Sequence, residues 1–224
     1  MRVLDPVLAV SPHLDDAVFS CGALLARSAE PTVVSVCAGV PSNPVSVTAW
    51  DRASGFGTSH ECVEARRYED ARALGTLGAV ARWLDFLDDQ YRSPASLQDI
   101  ADAVGNEISR CGARTILIPM GLFHRDHVRV SEAAIRIMQA RRGGSHWLAY
   151  ADLPYATIPG VASMRLVELY ARLGTKTKNC FEEPCSSAKE RAVSCYQSQL
   201  RALHSRTKLE SAMLGVAERY WRLR

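Results

Sequence analysis

"VLAVSPHLDDAVFSCGALLA", residues 7–26, begins as an apolar strand, is interrupted at Pro12 and continues as an amphipathic helix. Its joint carries His13, Asp15 and Asp16. Pro12 blocks continuation of the strand, and either acid can cap a helix that starts near Ala17. A cap needs one acid. The second acid and the histidine need another reason.

The same unit recurs outward along the chain. Apolar runs at 7–10, 32–38, 80–86, 114–120 and 146–153 alternate with stretches at 16–29, 61–78, 95–111 and 127–142. The latter carry apolar residues at three and four spacing, as in Ala65, Tyr68, Ala71 and Leu74. Strand and helix alternating in this way predict an α/β fold, with a mostly parallel sheet covered by helices on both faces. After about residue 154 the pattern changes. A helical stretch at 164–173, a polar one at 174–184 and two helical ones near 186–204 and 207–222 follow. The expectation is one domain over 1–224, a core of about 1–153 with a helical and strand extension over 154–224. The last stretch, with Met213, Val216, Ala217 and Tyr220 at helical spacing, reads as a terminal helix whose Arg219, Arg222 and Arg224 face water.

Of the 224 residues 47% are hydrophobic, enough for a sizeable core, and the net charge of +3 is scattered, which argues against a nucleic-acid partner. No apolar run is long enough to span a membrane, and the opening residues lack a secretory cleavage pattern, so a cytoplasmic location is expected. The seven cysteines contain no CxxC pair; they read as small buried apolar groups, not a disulfide framework or a zinc finger. A homo-oligomer is compatible with this pattern. Residues 38–61, rich in Gly, Pro, Ser and Thr, form a long connection after the second strand, at the sheet edge where α/β folds bind ligands.

A second cluster, "GLFHRDHVRV" (121–130), follows the apolar strand "TILIPM" and precedes a helix starting near Asp126. Two joints of the same kind, each with His and Asp, would meet at one sheet edge. Imidazole and carboxylate suit zinc, and a catalytic zinc site takes three protein ligands. His13, Asp16 and one histidine of the second cluster supply that set. A further carboxylate can then move protons, and a second histidine, kept protonated by acids such as Asp126, can donate to a developing oxyanion. Such a site suits amide or ester hydrolysis.

These motifs resemble the LmbE-like, or PIG-L-like, N-acetylglucosaminyl deacetylases. "PHLDD" is similar to the family's P-H-x-D-D, and "HRDH" (124–127) to its H-x-D-H. "ARRYEDARALGTLGA" (65–79) resembles its Arg-x-Glu helix ending in Leu-Gly, and "KERAVSCYQSQL" (189–200) its Lys-to-Ser-Gln segment. The resemblance implies a Rossmann-like sheet and Zn2+ held by His13, Asp16 and His127. It implies Asp15 as general base and later acid, His124 as oxyanion donor and Asp126 as the partner of His124. Substrate contacts fall to Arg67, for a sugar hydroxyl or phosphate, and to Asp88, with Asp89 equally spaced for that role. Trp50, with Asp51 beside it, would form a lid or a wall against the sugar ring. Leu122 stands where some members have a tyrosine that assists the chemistry.

The activity so implied is removal of an N-acetyl or N-acyl group from an amino sugar or its conjugate, as in antibiotic or other natural-product biosynthesis. An amidase of a thiol-sugar conjugate is the alternative inside the family. Outside it, two histidines and a carboxylate also make the Fe2+ site of non-haem oxygenases, and a metal- or sugar-binding protein without turnover would use the same ligands. Asp15, an acid that ligation does not require, favours chemistry over binding alone.

Overall fold

The computed structural model describes residues 3–42, 47–92, 95–141, 143–173, 179–206 and 216–223. Among them, seven strands form one sheet in the order β3-β2-β1-β4-β5-β7-β6. The strands are β1 (Val7–Ser11), β2 (Thr32–Ser35), β3 (Val80–Trp83), β4 (Thr115–Pro119), β5 (His146–Tyr150), β6 (Asn179–Glu183) and β7 (Glu218–Leu223). β1 to β5 run parallel, and β7 and β6 extend the sheet antiparallel beyond β5. Every residue of β1 and β4 is buried, which is why both read as unbroken apolar runs.

The helices are α1 (Asp16–Ala26), α2 (Ala49–Ser54), α3 (Ser59–Thr76), α4 (Leu97–Cys111), α5 (Arg125–Ala140), α6 (Val161–Leu173), α7 (Ser187–Val193) and α8 (Gln197–Arg206). α4 packs on β1, β2 and α5, while α1 packs on β1, β7 and α7. From β1 the chain crosses to β2, and from β4 it crosses the other way to β5. The strand order therefore reverses between β1 and β4. A crevice opens there at the carboxyl ends of the strands, where open α/β sheets bind ligands. Both histidine and aspartate joints leave the sheet at that crevice.

Three expectations change. The strands after residues 35, 83 and 150 end sooner than the apolar runs do. Past β2, Val36 and Cys37 donate instead to the carbonyls of Ser11 and Pro12 (2.8 and 2.9 Å), pinning the His13 turn from below. The 38–61 connection holds a short helix, α2, closed by a capping box between Thr48 and Asp51. The expected terminal helix is, from Glu218 on, strand β7. It satisfies the open edge of β5, burying Tyr220, Trp221 and Leu223 and leaving Arg219 and Arg222 half-exposed. Met213, Arg224 and the segment 174–178 lie outside the described residues.

Candidate active site

At the first joint the cap is provided neither by Asp15 nor by Asp16. Ser11 Oγ accepts from the Ala17 amide (2.9 Å), while Asp15, in the N-cap position, makes no capping bond. The Asp16 carboxylate turns back to accept from the His13 amide (2.8 Å). Asp15 is thereby left facing a cavity of about 280 Å³, lined also by His13, Asp16, Trp50, Asp88, His124 and Tyr155.

Asp16 Oδ2 lies 3.1 Å from His13 Nδ1 and 3.2 Å from His127 Nε2, so three atoms that could hold a metal ion converge from the turn after β1, from α1 and from α5. His127 Nε2 is buried without a well-formed hydrogen bond, and such an atom calls for a missing partner. The other nitrogen of each imidazole rests on a carboxylate. His13 Nε2 meets Asp126 Oδ2 at 3.0 Å, and His127 Nδ1 meets Asp152 Oδ1 at 2.6 Å. Histidines that bind metal are commonly oriented and made more basic in this manner. Asp152 is fully buried just past β5, and its second oxygen accepts from the Gly121 amide (3.0 Å). Gly121 has φ +84°, and a Cβ there would meet Ser131 Cβ at 2.7 Å, so the turn that delivers His124 and His127 requires glycine. The donor set His, Asp, His therefore fits a divalent cation.

Charge distribution points the same way. Burial opposes charge on His127, yet Asp16 and Asp152 outweigh it and push its pKa up to about 9; Asp16 is held low by His127 and His13 in spite of its burial. Asp15 is pushed up to about 8, by burial first and then by Asp16, against the pull of Arg66 and His13. A carboxyl poised near neutrality can both take and return a proton.

Two expected details are corrected. Asp126 partners His124 more through its amide than through its carboxylate, whose Oδ2 lies 3.8 Å from His124 Nδ1 and is taken at closer range by His13 and by the Asp89 amide (2.9 Å). The surroundings of His124 do not favour its protonated form. Its Nδ1 accepts from the Asp126 amide (3.2 Å), capping α5, while burial and then His13 hold its pKa below the usual value. With Nδ1 accepting, the proton of a neutral imidazole sits on Nε2.

Asp88 and Trp50 line the cavity as expected, Trp50 donating from Nε1 to Gln199 Oε1 (3.1 Å). Asp51 serves the fold instead, accepting from Tyr91 Oη at 2.9 Å. Arg67 is not brought to the site. It bonds Ala38 O (2.8 Å) and Asp85 (3.0 Å), and its neighbour Arg66 lines the cavity, 3.6 Å from Asp88. The buried face of α3 is Cys62, Val63, Arg66, Asp70, Ala73 and Leu74, one step out of phase with the apolar spacing read from the sequence. Leu122 is buried in the core, and the tyrosine that does line the cavity is Tyr155.

Residues 8–138, more than half of the chain, match the family model described as PIG-L, GlcNAc-PI de-N-acetylase. The chain belongs to the PIG-L family. Over 164 residues it is 32% identical to the 2'-N-acetylparomamine deacetylase of Streptomyces fradiae, covering 66% of this chain and 57% of that relative's length. Among solved structures, A40926 pseudoaglycone deacetylase Dbv21 superposes with a TM-score of 0.76 at 28% identity, covering 97% of this chain and 96% of the other. The zinc-inhibited form of teicoplanin deacetylase Orf2 superposes with a TM-score of 0.76 at 23% identity, covering 97% of both, and shares the fold. The family thus agrees with the architecture and with a hydrolytic reading of the crevice. Among the described residues no helix is long and apolar enough to cross a membrane.

Proposed function

We propose that this chain is a zinc-dependent N-deacetylase that hydrolyses the N-acetyl amide of an amino sugar carried in a natural-product conjugate. One observation carries the reading: three ligand atoms converge beside Asp15, a cavity-facing carboxylate that neither caps its helix nor completes the ligand set. The relatives named as deacetylases of N-acetylparomamine and of an antibiotic pseudoaglycone support this substrate class.

In this reading His13, Asp16 and His127 hold the metal, with Asp126 and Asp152 fixing the two imidazoles. When bound, the metal supplies Lewis-acid chemistry, polarising the amide carbonyl and making water a stronger acid. Asp15 takes a proton from the attacking water as the new C–O bond forms. His124 donates its Nε2–H to the carbonyl oxygen as charge develops there, a contact that strengthens in the transition state. Asp15 then returns the proton to the sugar nitrogen as the C–N bond breaks, leaving acetate and free amine. Arg66 and Asp88 face the cavity as a donor and acceptor pair for sugar hydroxyls, and Trp50 offers a ring face to the pyranose.

The test is acetate release by the zinc-loaded chain from N-acetylated amino sugars and their glycosides, alongside Asp15→Asn and His13→Ala. Asp15→Asn should lose about 10²- to 10⁴-fold in kcat while keeping its zinc, and His13→Ala should lose most of the zinc. Wild-type turnover by Asp15→Asn would overturn the mechanism.

A further inference from the structure

Phe123, between the core residue Leu122 and the cavity residue His124, is 73% exposed and sits at φ +62°. A bulky side chain with left-handed backbone is a genuine outlier, and glycine would serve the turn with less strain. Strain of this kind is retained where function uses it. The fold gains little from a ring so exposed. What the ring does is stack on Tyr155, centroids 5.4 Å apart and planes 24° from parallel. Tyr155 lines the cavity and stands edge-on to His127 at 5.1 Å. A continuous aromatic path thus runs from the ligand triad to the surface. Outside it lies a hollow bordered by Asp89, Phe123, Arg125, Val128 and Arg129.

We propose that Phe123, backed by Tyr155, is an outer subsite for an aromatic aglycone, so that the substrate is an amino sugar linked to an aryl group and not the free monosaccharide. The inference rests on the deacetylase reading for what occupies the inner cavity. An aromatic ring laid on Phe123 continues the stack that Tyr155 begins, and offset stacking rewards an arene beyond its apolar area. At the edge Arg125, 3.9 Å from Asp89, and Arg129 have guanidinium planes that can lie flat against a ring.

Binding separates this proposal from turnover. Zinc-loaded Asp15→Asn protein is titrated calorimetrically with N-acetylglucosamine, its p-nitrophenyl β-glycoside and its octyl β-glycoside. The aryl glycoside should bind about threefold to tenfold more tightly than the free sugar and more tightly than the octyl compound. Phe123→Gly in the same background should bring the aryl-to-free ratio close to one while Tm holds or rises; Phe123→Trp should keep the ratio. An aryl glycoside that binds no tighter than the free sugar or the octyl glycoside overturns the subsite. So does a ratio that survives Phe123→Gly, or a fall in Tm that shows the ring to be structural. Acetate release by the wild-type chain is measured in parallel. If it is absent while the Phe123-dependent ratio persists, the deacetylase reading fails and the aryl subsite stands.

Discussion

The two ends of helix α1 carry buried charge of opposite kinds. Near its C-terminal end, Glu218 accepts from the Ala23 and Leu24 amides and from Tyr220 Oη, and its charge is matched by Lys189 Nζ at 2.9 Å, both side chains being fully buried. Gly22 makes room for this lysine, since a Cβ there would lie 2.9 Å from Lys189 Cγ. One anion thus meets one cation and three neutral donors. At the N-terminal end Asp15, Asp16, Asp88, Asp126 and Asp152 gather around His13, His124 and His127, and Arg66 is the one guanidinium lining that cavity among the described residues. This end is short of positive charge and open to the cavity. Charge is balanced at one end, and at the other a surplus of acid is what a bound cation would offset.

The contrast is sharpened most by cutting each end. Lys189→Met leaves Glu218 buried without its cation and should cost about 3–5 kcal/mol in urea unfolding of the metal-free protein. Asp15→Asn relieves surplus charge and should leave stability equal or higher. If both substitutions destabilise alike, the two ends do not differ in kind. The next effect is smaller and belongs to the acid-rich end. Asp152→Asn keeps an acceptor for His127 but removes its charge, so zinc affinity measured by chelator competition should fall about 10- to 100-fold, with metal-free Tm little changed. Unaltered zinc affinity would reduce Asp152 to a brace for the Gly121 turn.

What could be read from the sequence follows the same division. The β1 and β4 joints were legible because strands buried on both faces give unbroken apolar runs, and each run ends in a dense His and Asp cluster. Arg66 was not, because α3 buries Arg66 and Asp70 on the face that packs inward, so apolar spacing alone gives the wrong phase and favours Arg67. The signal available was the i, i+4 spacing of Cys62, Arg66 and Asp70. Asp152 belongs to no motif; only its position just past a parallel strand, at the same sheet edge, marks it. β7 was hidden because its partner β5 lies far away in the chain, and Val216, Ala217 and Tyr220 happen to satisfy a helical period that the edge of β5 overrides.

Asp70 provides the finest test, since it is an acid of the crowded end whose hydrogen-bond partners are both neutral. It accepts from Tyr196 Oη and Trp83 Nε1, each at 2.7 Å, and burial pushes its pKa up to about 6 against the pull of those donors and of Arg66. An unfolded aspartate titrates near 3.9, so between roughly pH 4 and 6 the folded chain binds a proton that the unfolded chain has lost. The contribution of Asp70 is therefore fully present below about pH 4 and is lost as pH rises through 6, a total of about 3 kcal/mol at most. A carboxylate held low by a cation would give the opposite slope. Urea unfolding of metal-free wild type and Asp70→Asn from pH 4 to 7 isolates this contribution, because every other group titrates in both proteins. The wild type should lose stability relative to the variant as pH rises. A difference that is flat, or that grows in favour of the wild type, would mean that Arg66 already neutralises Asp70 and that the surplus of acid stops at the cavity wall.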